Sequence, residues 1–164
     1  MSEPLAYLIT FRTYGTWLHG DVRGSVDRAH NVYGSPMLAA DVALEQAQRA
    51  QMKGSPVALS APQRKVVADT IRVVCQTRGW SLSALNVRSN HVHVVVAAPD
   101  PPERVLHAFK SYATRRLREA GLQEGTSQLW SRHGSTRYLW KQRQVDEACR
   151  YVADSQGEDL GGEL

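Results

Sequence analysis

The spacing of apolar positions changes several times along the chain, and each change marks an element. Leu5 to Tyr14 mixes aliphatic, aromatic and threonine residues (Tyr7, Leu8, Ile9, Thr10, Phe11), which predicts a strand buried on both faces near its start. From Gly15 to Pro36 no period is sustained, and glycines alternate with polar residues, which predicts a long functional or mobile loop. Leu38 to Lys53, rich in Ala, Gln, Glu and Leu, predicts a helix closed by Gly54-Ser55-Pro56. Ser60 then caps a second helix, with Pro62 in its first turn and Val66, Val67, Thr70, Ile71, Val74 and Cys75 at helical spacing up to Gly79.

Trp80 to Arg88 alternates as a strand does. Ser89-Asn90 has room only for a tight turn, so the following apolar run, His91 to Val96, is expected as an antiparallel hairpin partner. Pro101-Pro102 opens a helix whose stripe is Val105, Leu106, Phe109, Tyr112, Ala113 and Leu117, ended by Gly121. Leu129 to Lys141 suggests short extended segments about a turn at His133-Gly134-Ser135, and a last helix is expected from near Val145 to Gly157. This order predicts an α+β domain, an antiparallel sheet packed with helices on one face and the other face left for function. One domain over 1–157 is expected, with 158–164 a disordered tail.

Composition narrows the class without deciding it. A chain of 164 residues with 42% hydrophobic and 22% charged residues suits one soluble domain, and no apolar run approaches a membrane span. With no signal-like start, a cytoplasmic protein is expected. Cys75 and Cys149 lie far apart in helical contexts and read as reduced thiols rather than a metal pair. A net charge of +4 points mildly toward a polyanionic partner.

The candidate chemistry sits in the hairpin. Alternation along His91-Val92-His93-Val94-Val95-Val96 puts His91, His93 and Val95 on one face and Val92, Val94 and Val96 on the other. Two imidazoles side by side on a rigid strand could bind one cation, and imidazole suits transition metals. Surface histidines on a strand are the plain alternative, and two ligands do not complete a site.

Asn90-His91-Val92-His93, followed much later by Arg150-Tyr151-Val152 on a C-terminal helix, resembles the single-tyrosine HUH transposases of small bacterial insertion sequences and their REP-associated relatives. The similarity runs from the first strand through Leu129-Trp130 to Gln156. The resemblance implies a ferredoxin-like or RRM-like sheet of the HUH endonuclease type. It also implies a divalent metal, Mg²⁺ or Mn²⁺, on His91 and His93, and Tyr151 as the nucleophile that opens single-stranded DNA near a hairpin through a 5′-phosphotyrosine. A phenol, with a pKa of about 10, needs assistance to attack at neutral pH. Tyr112, near the apolar stripe, and Tyr138, in a Trp-rich segment, read instead as packing or stacking residues.

The third metal ligand departs from the family pattern. Relatives place Gln or Asn one turn after the tyrosine, whereas here Ser155 holds that position, flanked by Asp154 and Gln156. Either neighbour is a candidate ligand, and both could be solvent-facing. For DNA, the candidates are Arg12, Lys110, Arg115, Arg118, Arg132, Arg137 and Lys141, with Trp130, Trp140 or Trp17 stacking on unpaired bases. Partners implied are hairpin-bearing single-stranded DNA, with monomer and homodimer both open, and a nucleoid-associated location. The competing reading is a DNA-hairpin-binding protein of the same fold without cleavage.

Overall fold

Strand β3, His91–Ala97, carries the histidines through the interior of a four-stranded sheet of order β2-β3-β1-β4. Its neighbours are β1 (Ala6–Thr13) and β2 (Ser81–Val87), and β4 (Trp130–Leu139) closes the edge beyond β1; every pairing is antiparallel. The computed structural model describes residues 3–15, 56–124 and 128–154. The helix expected at 38–53, nearly all of the loop expected at 15–36, Trp17, Gln156 and the 158–164 tail lie outside the described residues. Three helices complete the order: α1 (Ala61–Arg78) after β1, α2 (Pro102–Glu119) after β3, and α3 (Gln142–Asp154) after β4. The β-α-β-β-α-β core with β1 and β3 central is the ferredoxin-like arrangement.

Local chemistry explains where the elements begin and end. Ser60 and Gln63 form a reciprocal cap: the Gln63 amide donates to Ser60 Oγ at 3.3 Å and the Ser60 amide to Gln63 Oε1 at 2.7 Å. Gly79 closes α1 at φ 72°, a left-handed conformation that favours glycine. The β2–β3 hairpin forms as expected, with the Arg88 amide donating to the His91 carbonyl at 2.8 Å.

The two faces of the sheet are built differently. Ile9, Phe11, Val92, Val94 and Val96 point into a core filled by α1 and α2, where Ile71, Val105, Phe109 and Leu117 are buried. These two helices form the expected layer. The opposite face is not left bare, because α3 packs Val145, Ala148 and Val152 against Ala6, Leu8, Val95 and Leu139. Spacing of three and four residues along α3 makes this stripe, but which side of the sheet receives it depends on the chain's path after β4.

Two other expectations change. Leu129 to Lys141 does not turn at Gly134: β4 is one continuous strand with Gly134 paired to Phe11. A Cβ at Gly134 would stand 2.6 Å from the Thr10 carbonyl oxygen and 3.0 Å from Leu106, so this glycine marks a close approach of backbones rather than a turn. The last helix starts at Gln142 rather than near Val145. Gln144 Oε1 accepts from the amides of Trp140 and Lys141 at 2.8 and 3.0 Å, holding that entry.

Candidate functional site

Strand register assembles the site. Thr10 of β1 and Asn86 of β2 both stand opposite His93, and Arg12 stands opposite His91. Residues directly opposite share a face, so Thr10, Arg12, Asn86, His91 and His93 line the same side of the sheet, the side on which α3 packs. The His91 and His93 rings lie edge to face with centroids 4.8 Å apart. Tyr151, from the last turn of α3, meets the His93 ring edge-on at 5.4 Å and is 44% exposed. The tyrosine and both histidines belong to one chain, so their meeting needs no second copy.

Each imidazole is held through Nδ1. Thr10 Oγ1 lies 2.7 Å from His93 Nδ1, and Asn90 Oδ1 lies 2.7 Å from His91 Nδ1. An amide oxygen only accepts, so the His91 Nδ1–H donates in this pair. Burial, reinforced by the charges of His91, Arg12 and Arg88, pushes the His93 pKa down to about 3. That keeps the ring neutral at physiological pH, the state a metal ligand requires. The donor chemistry therefore fits a divalent cation: two imidazoles side by side, each oriented by a hydrogen-bonding neighbour.

No group of three His, Cys, Asp or Glu suited to a metal occurs among the described residues. Asp154 is exposed at the end of α3, and Gln156 lies outside the described residues. Oxygen ligands from a phosphate, water or an amide would have to complete the coordination.

The candidate DNA residues separate between the two sides. Arg12 and Arg137 are on the histidine face by register, Arg137 standing opposite Leu8. Lys141 is exposed where β4 leads into α3. Arg115 and Arg118, both exposed, belong to α2 on the other side; Arg115 stacks over Tyr112 at 5.3 Å. Arg132 is exposed, in the part of β4 where the pairing with β1 shifts register.

Lys110 has a different employment from the one expected. It is half-buried, and its ammonium donates to the carbonyls of Ser131, Arg132 and His133 at 2.8, 3.4 and 3.1 Å. Burial lowers its pKa to about 8. It ties α2 to β4. Trp130 is likewise a core residue, packed edge-on against Phe11 at 4.9 Å with its indole N–H donated to Thr114 Oγ1. Trp140, by contrast, is 47% exposed beside Tyr138.

Three residues of the site escaped the sequence reading. Thr10 and Asn86 look like ordinary strand residues until the register sets them opposite His93, and Arg88 joins the face only because the hairpin folds it back beside His91. The available signal was weak: the expected hairpin already implied that Arg88 and Asn86 alternate onto one face.

A family model described as transposase IS200 like matches residues 54–155. This chain belongs to the IS200-like transposase family. The match takes in α1, β2, β3, α2, β4 and α3, with the histidine pair and Tyr151, while β1 and its Thr10 precede it. A solved structure of a REP-associated tyrosine transposase bound to a REP hairpin is similar at 10% identity and TM-score 0.49. That comparison covers 92% of this chain and 66% of the other, so this transposase-family chain spans just under two thirds of that one. No curated protein matches. No helix among the described residues is long and apolar enough to cross a membrane.

Proposed function

We propose that this protein cleaves and rejoins single-stranded DNA beside hairpins, with Tyr151 as nucleophile and a divalent cation, Mg²⁺ or Mn²⁺, on His91 and His93. The observation that carries the reading is the edge-on approach of Tyr151 to His93, 5.4 Å between centroids, from a helix the sequence places far from the hairpin. Membership of the transposase family supports it. So does the charge of the sheet: its four strands contain no Asp or Glu, while Arg12 and Arg137 share the histidine face and Arg88 borders it.

In this reading Tyr151 Oη attacks phosphorus and loses its proton to water. The Oη–P bond forms as the P–O3′ bond breaks, and the departing oxygen takes up a proton to become a free 3′ hydroxyl. The product is a 5′-phosphotyrosine, which keeps a phosphodiester's energy available, so a 3′ hydroxyl of another strand can reverse the step without ATP. When bound, the cation supplies charge neutralisation at the phosphate and at the leaving oxygen. Thr10 and Asn90 fix the imidazoles, and the cationic side chains of Arg12, Arg88 and Arg137 hold neighbouring phosphates of the strand. Hairpin recognition, described for the REP-associated protein, belongs in this proposal as the feature that selects the strand.

The test is incubation with labelled single-stranded DNA carrying a hairpin from the flanks of the gene, with Mg²⁺ or Mn²⁺, followed by denaturing electrophoresis. A covalent adduct that disappears with Tyr151→Phe, with His91→Ala and with chelator is the expected result. Binding without adduct in both metals would overturn cleavage and favour a hairpin-binding protein that has kept the fold. The absence, among the described residues, of a third His, Cys, Asp or Glu beside the pair is the observation favouring that second reading.

A further inference from the structure

We infer that Asn86 is a positioning residue that latches the nucleophile-bearing end of α3 onto the histidine strand; the inference rests on Tyr151 being the nucleophile. Asn86 Nδ2 donates to the Val152 carbonyl at 2.8 Å, a bond that joins the hairpin end of β2 to α3. Val152 is the residue next to Tyr151 on α3. The sheet therefore grips the helix backbone one residue from the phenol.

The placement has consequences for geometry. Asn86 stands directly opposite His93 in the β2–β3 register, so the strand pair that carries the histidine also grips the helix segment carrying the tyrosine. Along α3, Val145, Ala148 and Val152 form the buried stripe, packed on Leu8, Val95 and Leu139 as well as Ala6, Ala84 and Ala97. Apolar packing of this kind holds a helix to a sheet without being directional. Directional bonds add register, among them those of Gln144 at the entry and Asn86 near Tyr151. The Asn86 bond is made one residue from Tyr151. Loss of it would let the phenol drift from the phosphorus without unfolding the domain.

The experiment compares wild type with Asn86→Leu, which keeps the volume and removes the donor, and with Tyr151→Phe. The readouts are single-turnover adduct formation on the hairpin oligonucleotide with Mn²⁺, equilibrium binding of that oligonucleotide, and amide hydrogen exchange of residues 148–154. The expected result for Asn86→Leu is adduct formation slowed about 10- to 100-fold, the scale of a small misplacement at a reacting centre. DNA affinity stays within about twofold, and exchange rises in the last turn of α3 while β1 and β3 keep their protection. A purely structural role would lower thermal stability without changing the rate of the folded protein. Wild-type rate and exchange in Asn86→Leu overturn the latch. An adduct that survives Tyr151→Phe overturns the nucleophile instead, and the exchange measurement then still decides whether Asn86 holds the helix. Should Asn86→Leu not fold, Asn86→Ser, which is too short to reach Val152, takes its place with the same expected results.

Discussion

The two faces of one sheet use alternation for opposite purposes. On the side of α1 and α2, Ile9, Phe11, Val92, Val94 and Val96 meet long apolar side chains, and burial of apolar area is the main return. On the other side, the same strands offer Thr10, Arg12, Asn86, His91 and His93, and the covering helix buries only a short stripe, Val145, Ala148 and Val152. The first face resists change because it is filled. The second holds a neutral buried histidine and a lightly anchored helix, an arrangement that sacrifices stability to chemistry. The difference teaches that substitutions on one face should be read in unfolding free energy and those on the other in rate.

Tyr151→Phe is the sharpest way to test that division. Adduct formation should fall by about 10⁴-fold or more, the usual scale for removing a covalent nucleophile, while the thermal midpoint stays near wild type because the hydroxyl belongs to a side chain that is 44% exposed. A large loss of stability alongside would break the comparison. On the other face, Phe109→Ala should cost about 3–5 kcal/mol in denaturant unfolding, since a fully buried ring leaves a cavity among Trp80 and its neighbours. A cost below about 1 kcal/mol would mean that this core is loosely packed.

Lys110→Met should lower stability by about 1–3 kcal/mol by leaving β4 carbonyls without their donor. Hairpin affinity should not change by more than about twofold. A loss of affinity and no loss of stability would return Lys110 to the DNA surface.

His93 predicts a pH effect in the cation-free protein. Its folded pKa is about 3 and its ordinary value 6.5, so between these the unfolded chain binds a proton that the folded chain does not. Stability should therefore fall on acidification from pH 7 toward 5, by at most about 1.4 kcal/mol per pH unit, and level off above pH 7. Urea titrations of wild type and His93→Gln check this, and equal slopes in the two proteins would contradict a neutral His93. The smallest effects should come from single arginines. Arg137→Ala, on the histidine face, should weaken single-strand binding a few-fold and reduce its salt dependence by about one charge, whereas Arg118→Ala on α2 should do neither to the scissile strand. Equal losses would place the strand across both sides of the sheet.

Much of this was legible in the residues, and for identifiable reasons. Period-two alternation at His91–Val96 and the lack of room at Ser89-Asn90 set the hairpin; the Ser60 cap and Gly79 set the ends of α1. These are local effects, decided within a few residues, and local effects are what a sequence displays. Gly134 misled because glycine serves turns and close backbone approaches alike, and only the pairing with Phe11 distinguishes them. Lys110 misled because a lysine on a polar helix face reads as solvated, and its inward turn depends on where the β4 carbonyls run.

By itself the sequence determined the hairpin, the ends of α1, the two faces of the histidine strand, and the residue types capable of phosphoryl chemistry. Tertiary structure decided their meeting. Thr10 lies 83 residues from the histidine it orients and Asn86 lies 66 from the carbonyl it holds, so both contacts exist only once the strand register is closed and α3 has folded back over the sheet. No local periodicity encodes that return, because it follows from the order in which strands pair and from which face still has apolar residues to cover.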